Sequence, residues 1–102
     1  MKSRTSIGHD EVMVKKLRRS ASFAAAYLKA AMADTDEPQV LLLALRQIAE
    51  ARGGMAQVAR QAGTTRESLY RALSPRGNPR FSTLLAVTKA MGLTLTVEPM
   101  HA

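Results

Sequence analysis

Gly63 stands between two short amphipathic segments, and that punctuation constrains the fold of this chain more than any other feature. Upstream of it, Val58, Ala59 and Ala62 supply the apolar side of one short helix. A glycine can enter the left-handed region that stops such a helix, because no Cβ collides with the backbone there. Downstream, the Thr65 hydroxyl can cap a second helix, and Thr64 with Glu67 offers a capping box one residue earlier. The second helix buries Leu69, Ala72 and Leu73 and turns Arg66, Glu67, Tyr70 and Arg71 outward. A helix with so sparse an apolar seam is a poor core builder. Its long polar side chains suit the DNA major groove, where guanidinium and carboxylate groups meet base edges. Gly54 to Gly92 therefore reads as a helix-turn-helix, a basic loop and a following helix.

At 102 residues the chain supports one small domain, or a compact core with a mobile arm. Fifteen Lys and Arg against eight Asp and Glu leave a formal charge of +7, unevenly placed. Residues 53–92 hold six basic side chains and one acidic, and residues 1–20 hold six and two, whereas residues 21–52 are slightly acidic. Positive charge concentrated on the helix-turn-helix is what phosphate neutralisation and electrostatic steering require.

The absence of cysteine removes a disulfide framework, a thiolate zinc site and a cysteine nucleophile. His9 and His101 lie near the chain ends, away from any carboxylate constellation. No catalytic site, metal site or cofactor pocket can be assembled from such residues, and the Met residues read as core or chain ends. No window approaches the ~20 apolar residues that span a bilayer. The basic start leads to Gly8-His9-Asp10 in place of the apolar run of a signal peptide. The expectation is a soluble cytoplasmic protein that is not an enzyme and has no membrane partner.

Met1 to Gly8, small, polar and basic, reads as a disordered arm. Asp10 can cap a first helix reaching about Arg19, with Val12, Met13 and Leu17 as a narrow seam. Lys15, Lys16, Arg18 and Arg19 gather near its C-terminus, as a solvated helix end or as a specific contact. Ser20 or Ser22 can cap a second helix bearing Phe23, Tyr27, Leu28 and Ala31 at spacings of three and four. An Asp34-Thr35-Asp36 turn follows, and Asp36 can cap a third helix with Pro38 in its first turn. Leu41, Leu45, Ile48 and Ala49 form its inward stripe, while Leu42 and Leu43 fall off it. That surplus predicts a helix covered on more than one side. Gly53-Gly54 ends it.

The last helix, about Ser82 to Met91, packs Leu84, Leu85, Val87, Thr88 and Met91, with Gly92 as its stop. Leu93-Thr94-Leu95-Thr96-Val97 then alternates with the period of a strand. A lone strand cannot satisfy its own backbone groups. It either pairs with a second molecule across a twofold axis or lies on the helices as a strand-like tail. The predicted fold is all-α: a small bundle of about five to six helices with a repressor-type helix-turn-helix, plus one short C-terminal strand paired across a dimer. The predicted organisation is a flexible basic arm over 1–9, a helical extension over 10–35, and the DNA-binding domain with its strand over 36–102.

GTTRESLYRALSPRGNPRF followed by STLLAVTKAMG resembles the phage Cro/repressor type of helix-turn-helix. The longer series AAAYLKAAM, LLLALRQIAEARGG and RESLYRALSPRGNPRFSTLLAVTKAMGLTLTVEP is similar to HigA-like antitoxins, the antidote proteins of type II toxin–antitoxin modules. The likeness covers roughly residues 10 to 99, and RESLYRALSPRGNPRF is its specific part. It implies a repressor of its own operon that binds double-stranded operator DNA, and the expected form on that DNA is a homodimer. It also implies neutralisation of a cognate small toxin of the RelE/ParE superfamily by direct contact. Residues 10–35, outside the DNA-reading unit, are the expected toxin-facing surface.

By the same resemblance, Gln57 would touch a phosphate and brace the recognition helix. Thr64 and Thr65 would meet phosphate at the start of that helix. Arg66, Glu67 and Arg71 match base-reading positions, and Ser68 and Tyr70 could reach backbone or a thymine methyl. Glu67 stays open between a cytosine contact and a capping role. Arg76, Asn78 and Arg80 look like phosphate contacts from a loop that Pro75 and Pro79 stiffen. The alternative is a stand-alone helix-turn-helix regulator without a toxin. A basic RNA-associated protein fits less well, since two Phe and two Tyr provide little stacking surface.

Overall fold

The computed structural model describes the backbone of residues 2–33 and 36–100, with side chains from Asp10 onward. Its helices are α1 (Lys2–Arg19), α2 (Ala21–Ala33), α3 (Pro38–Ala51), α4 (Met55–Gln61), α5 (Arg66–Ala72) and α6 (Phe81–Ala90). The all-α class holds. Asp34 and Thr35 of the expected turn, like Met1, His101 and Ala102, lie outside the described residues.

α1 starts at Lys2, so Asp10 sits within the helix and does not cap it. Its carboxylate instead accepts from the Gln47 side-chain amide of α3 at 3.0 Å. Leu17 is fully buried and Met13 and Val14 pack against the core, but Val12, expected in the seam, is 53% exposed. Ser20 is the residue that caps α2, its hydroxyl accepting the Phe23 N–H at 3.0 Å. Ala24, Leu28 and Ala31 form the buried face of α2. Phe23 lies at the exposed edge and stacks on half-buried Tyr27. The small residue goes inward because α2 packs on both α1 and α3, and a close approach leaves no room for a ring.

α3 is the central strut, packed against α1, α2 and α4. Glu37 and not Asp36 is its N-cap residue, without a side-chain cap bond, and Pro38 opens its first turn. The buried set is Leu42, Ala44, Leu45, Ile48, Ala49 and Ala51. Leu41 is half-buried and Leu43 exposed, so the inward face is wider than the expected stripe and rotated to take in Leu42. Three covering helices account for the apolar surplus. One buried cluster runs from Leu17 through α3 to Val58, Leu69, Leu73, Val87 and Met91, so α1 and α2 share a core with α4, α5 and α6.

α6 buries Val87 and Thr88 and its C-cap Met91, while Leu85, expected inward, is exposed. The C-terminal strand is not formed: among the described residues there is no strand. Leu93 N–H closes the end of α6 on the Thr88 carbonyl at 2.9 Å, and the chain then runs without a ladder along α2. Leu93 packs on the core, Leu95 is half-buried and Val97 is 98% exposed. Lys29 of α2 pairs with Glu98 at 3.1 Å. With no neighbouring strand to accept its backbone groups, the alternating segment lies on a helix as an extended tail. No helix among the described residues is long and apolar enough to cross a membrane.

Candidate nucleic-acid interface

The turn between α4 and α5 is built from backbone chemistry. Gly63 has φ +78°. Its N–H donates to the Arg60 carbonyl at 3.2 Å and the Thr64 N–H to the Ala59 carbonyl at 2.9 Å, the paired bonds of a Schellman turn. Thr65 is extended, and its Oγ1 accepts the Ser68 N–H at 3.0 Å, which starts α5. Glu67 forms no capping bond among the described residues, so Thr65 caps alone. Leu69 and Leu73 are buried, anchoring α5 on α4.

Arg66, Glu67, Tyr70 and Arg71 are all exposed on α5. The Arg66 guanidinium lies 5.1 Å from the Tyr70 ring centroid, a cation–π contact one helical turn apart. Arg71 reaches the hydroxyl of half-buried Ser68 at a long 3.4 Å. Both arginines are therefore steered along the helix without being desolvated. Gln57 is exposed on α4 with its amide over Gly53, where an added Cβ would lie 3.1 Å from it. Thr64 is half-buried beside the turn.

The basic loop is tied to the end of α5. The Ser74 hydroxyl donates to the Arg71 carbonyl and the Gly77 N–H to the Ser74 carbonyl, both at 2.8 Å. Any Cβ on Gly77 would overlap the Ala72 carbonyl oxygen, so only glycine lets the loop fold so close. Arg76, Asn78 and Arg80 are exposed, and Arg80 is the N-cap residue of α6.

Two basic residues that periodicity does not single out hold this unit in place. Half-buried Arg46 of α3 donates to the Leu73 carbonyl, the C-cap of α5. Arg52 donates from Nε to the Met91 carbonyl at the end of α6, at 2.7 Å. Guanidinium groups there satisfy orphan carbonyls and oppose the negative helix ends. Nothing in residue type separates these arginines from the exposed ones; only the path of α3 does. The close approach at Gly77 is equally hidden, within a loop legible for its prolines.

The family model described as probable addiction module antidote protein matches residues 10–99. The chain belongs to that family. This antidote-family chain is also 49% identical over 63 residues to an uncharacterized protein of Haemophilus influenzae. That match covers 62% of this chain and spans 64% of the relative's length. No solved structure matches the chain.

Proposed function

We propose that this chain is a HigA-like antitoxin that binds its own operator through a Cro/repressor-type helix-turn-helix and represses its operon. We further propose that it neutralises a RelE/ParE-superfamily toxin by direct contact. The observation that carries the DNA half is the exposed row of Arg66, Glu67, Tyr70 and Arg71 on a helix pinned from beneath by Leu69 and Leu73. Family membership over residues 10–99 supports the antitoxin half.

In this reading Arg66 and Arg71 address guanine O6 and N7, and Glu67 accepts from cytosine N4, each contact giving about 1–3 kcal/mol of discrimination. The unused capping capacity of Glu67 favours that role. Tyr70 holds Arg66 extended over its ring, and Ser68 does the same for Arg71. Thr64, Arg76, Asn78, Arg80 and Gln57 meet phosphate. The Thr65 oxygen accepts the cap bond, which leaves its O–H to donate to a phosphate. Two copies place recognition helices in successive major grooves, about 34 Å apart, on a pseudo-palindromic operator.

The test is a titration of the purified chain against duplex DNA from upstream of its own coding sequence, with single-stranded RNA as competitor. Arg71→Ala should weaken binding about 5- to 150-fold and relax one base position, with helical content unchanged. Unaltered affinity in both Arg66→Ala and Arg71→Ala overturns the recognition-helix assignment. Co-expression with the neighbouring small reading frame tests the other half: growth rescue together with co-elution supports it. Operator binding with neither leaves a stand-alone regulator.

A further inference from the structure

Outside the helix-turn-helix, α1 carries a charge pattern that the monomer leaves unused. Glu11, Val14, Lys15 and Arg18 fall at helical spacings that place them in one stripe. Leu17 points away from that stripe into the core. The stripe runs beside Glu50 of α3 and, with Asp10, lines a shallow concavity of about 360 Å³. All of its charged members are exposed, and Val14 at its centre is half-buried. The acids occupy the N-terminal side and the bases the C-terminal side. They do not pair with one another: among the described residues the ion pair within 4.0 Å is Lys29–Glu98.

We propose that this stripe of α1 is the surface through which two copies of the chain associate, antiparallel across a twofold axis beside Val14. A twofold rotation reverses the helix direction, so the acidic side of each copy faces the basic side of the other. With the axis between Val14 and Lys15, Glu11 stands opposite Arg18 of the second copy, and the two Val14 side chains meet beside the axis. The Glu11–Arg18 pair then occurs twice, as isologous pairing demands, and the Lys15 methylenes flank the valines while the ammonium stays in water. Charge selects this occupant. A uniformly basic or acidic foreign surface leaves half of the stripe facing like charge, and a parallel pair of α1 helices does so along its whole length. A copy of the same chain neutralises both halves. The inference stands on α1 and α3 alone and does not rest on operator or toxin binding.

Sedimentation equilibrium of the full chain, without DNA, tests it. The wild type should reach twice its 11.1 kDa chain mass at low salt and dissociate as salt rises. Glu11→Arg and Arg18→Glu should each weaken association at least about tenfold, because like charges then face each other twice. The double exchange Glu11→Arg/Arg18→Glu restores complementarity and should recover the dimer. Since the chain has no cysteine, Val14→Cys should cross-link on oxidation through the axis, whereas Val12→Cys, on another face, should not. A chain that stays monomeric, a dimer indifferent to the single reversals, or a double exchange that fails to restore it overturns the proposal. Equal cross-linking by the two cysteine variants does so independently of any folding defect.

Discussion

Two glycines near α5 do different work. Gly63 supplies a conformation: its φ of +78° is one that side chains avoid, yet the space around it is open. Gly63→Ala should cost about 1–2 kcal/mol from backbone strain alone, read as a lower midpoint in denaturant unfolding. Gly77 supplies space, since a Cβ there meets the Ala72 carbonyl. Gly77→Ala must push the loop off α5, at about 1–3 kcal/mol, and should also weaken operator binding by displacing Arg76 and Asn78. Wild-type stability in Gly77→Ala contradicts the close approach. Tyr27 adds a pH signature. Burial, then the Asp10 carboxylate, raise its phenol above the ordinary 10.0, and its O–H donates to the Gln47 side-chain oxygen. The folded state therefore holds that proton more tightly than the unfolded chain. Its stabilising contribution is complete below about pH 10 and is lost as pH rises through the folded value. The melting temperature of the wild type should accordingly fall more steeply than that of Tyr27→Phe between about pH 9 and pH 11.

At the scale of the element, α5 has seven residues, too few to be stable in isolation. It persists because three contacts act at different points: the Thr65 cap at its start, Leu69 and Leu73 beneath it, and Arg46 at its end. Thr65→Ala removes one acceptor and should cost about 1 kcal/mol, which lowers the melting temperature about 4–8 °C for a domain of this size. Arg46→Met keeps the stem but leaves the Leu73 carbonyl without its donor. Amide exchange should then quicken in α5 before it does in α3. Uniform acceleration across all helices would show instead that Arg46 acts on the whole core.

Across the whole molecule, positive charge is divided between two tasks. Half-buried Arg46 and Arg52 close helix ends, whereas Arg66, Arg71, Arg76 and Arg80 face solvent on and beside α5. Under the proposed operator binding, affinity should fall steeply with salt. Arg76→Gln with Arg80→Gln should flatten the logarithmic slope by about 1.8, at about 0.9 for each phosphate that is no longer neutralised. A slope unchanged by that pair removes the loop from the DNA-facing surface.

The amino-acid pattern was sufficient, by itself, for the all-helical class, the Gly63 turn, the Thr65 cap and the outward residues of α5. Each of these is decided within about one helical turn, where steric limits and orphan N–H groups leave few choices. Tertiary structure alone decided the rest. The start of α1 ahead of Asp10, the rotation of the α3 face towards Leu42 and the burial of Ala24 follow from which helices pack together. The fate of Leu93 to Val97 turned on an absent neighbour, because alternation marks an extended segment but a ladder needs a second strand. The arginines that serve helix ends were separated from those facing solvent only by the course of α3, a distance relation that no local spacing encodes.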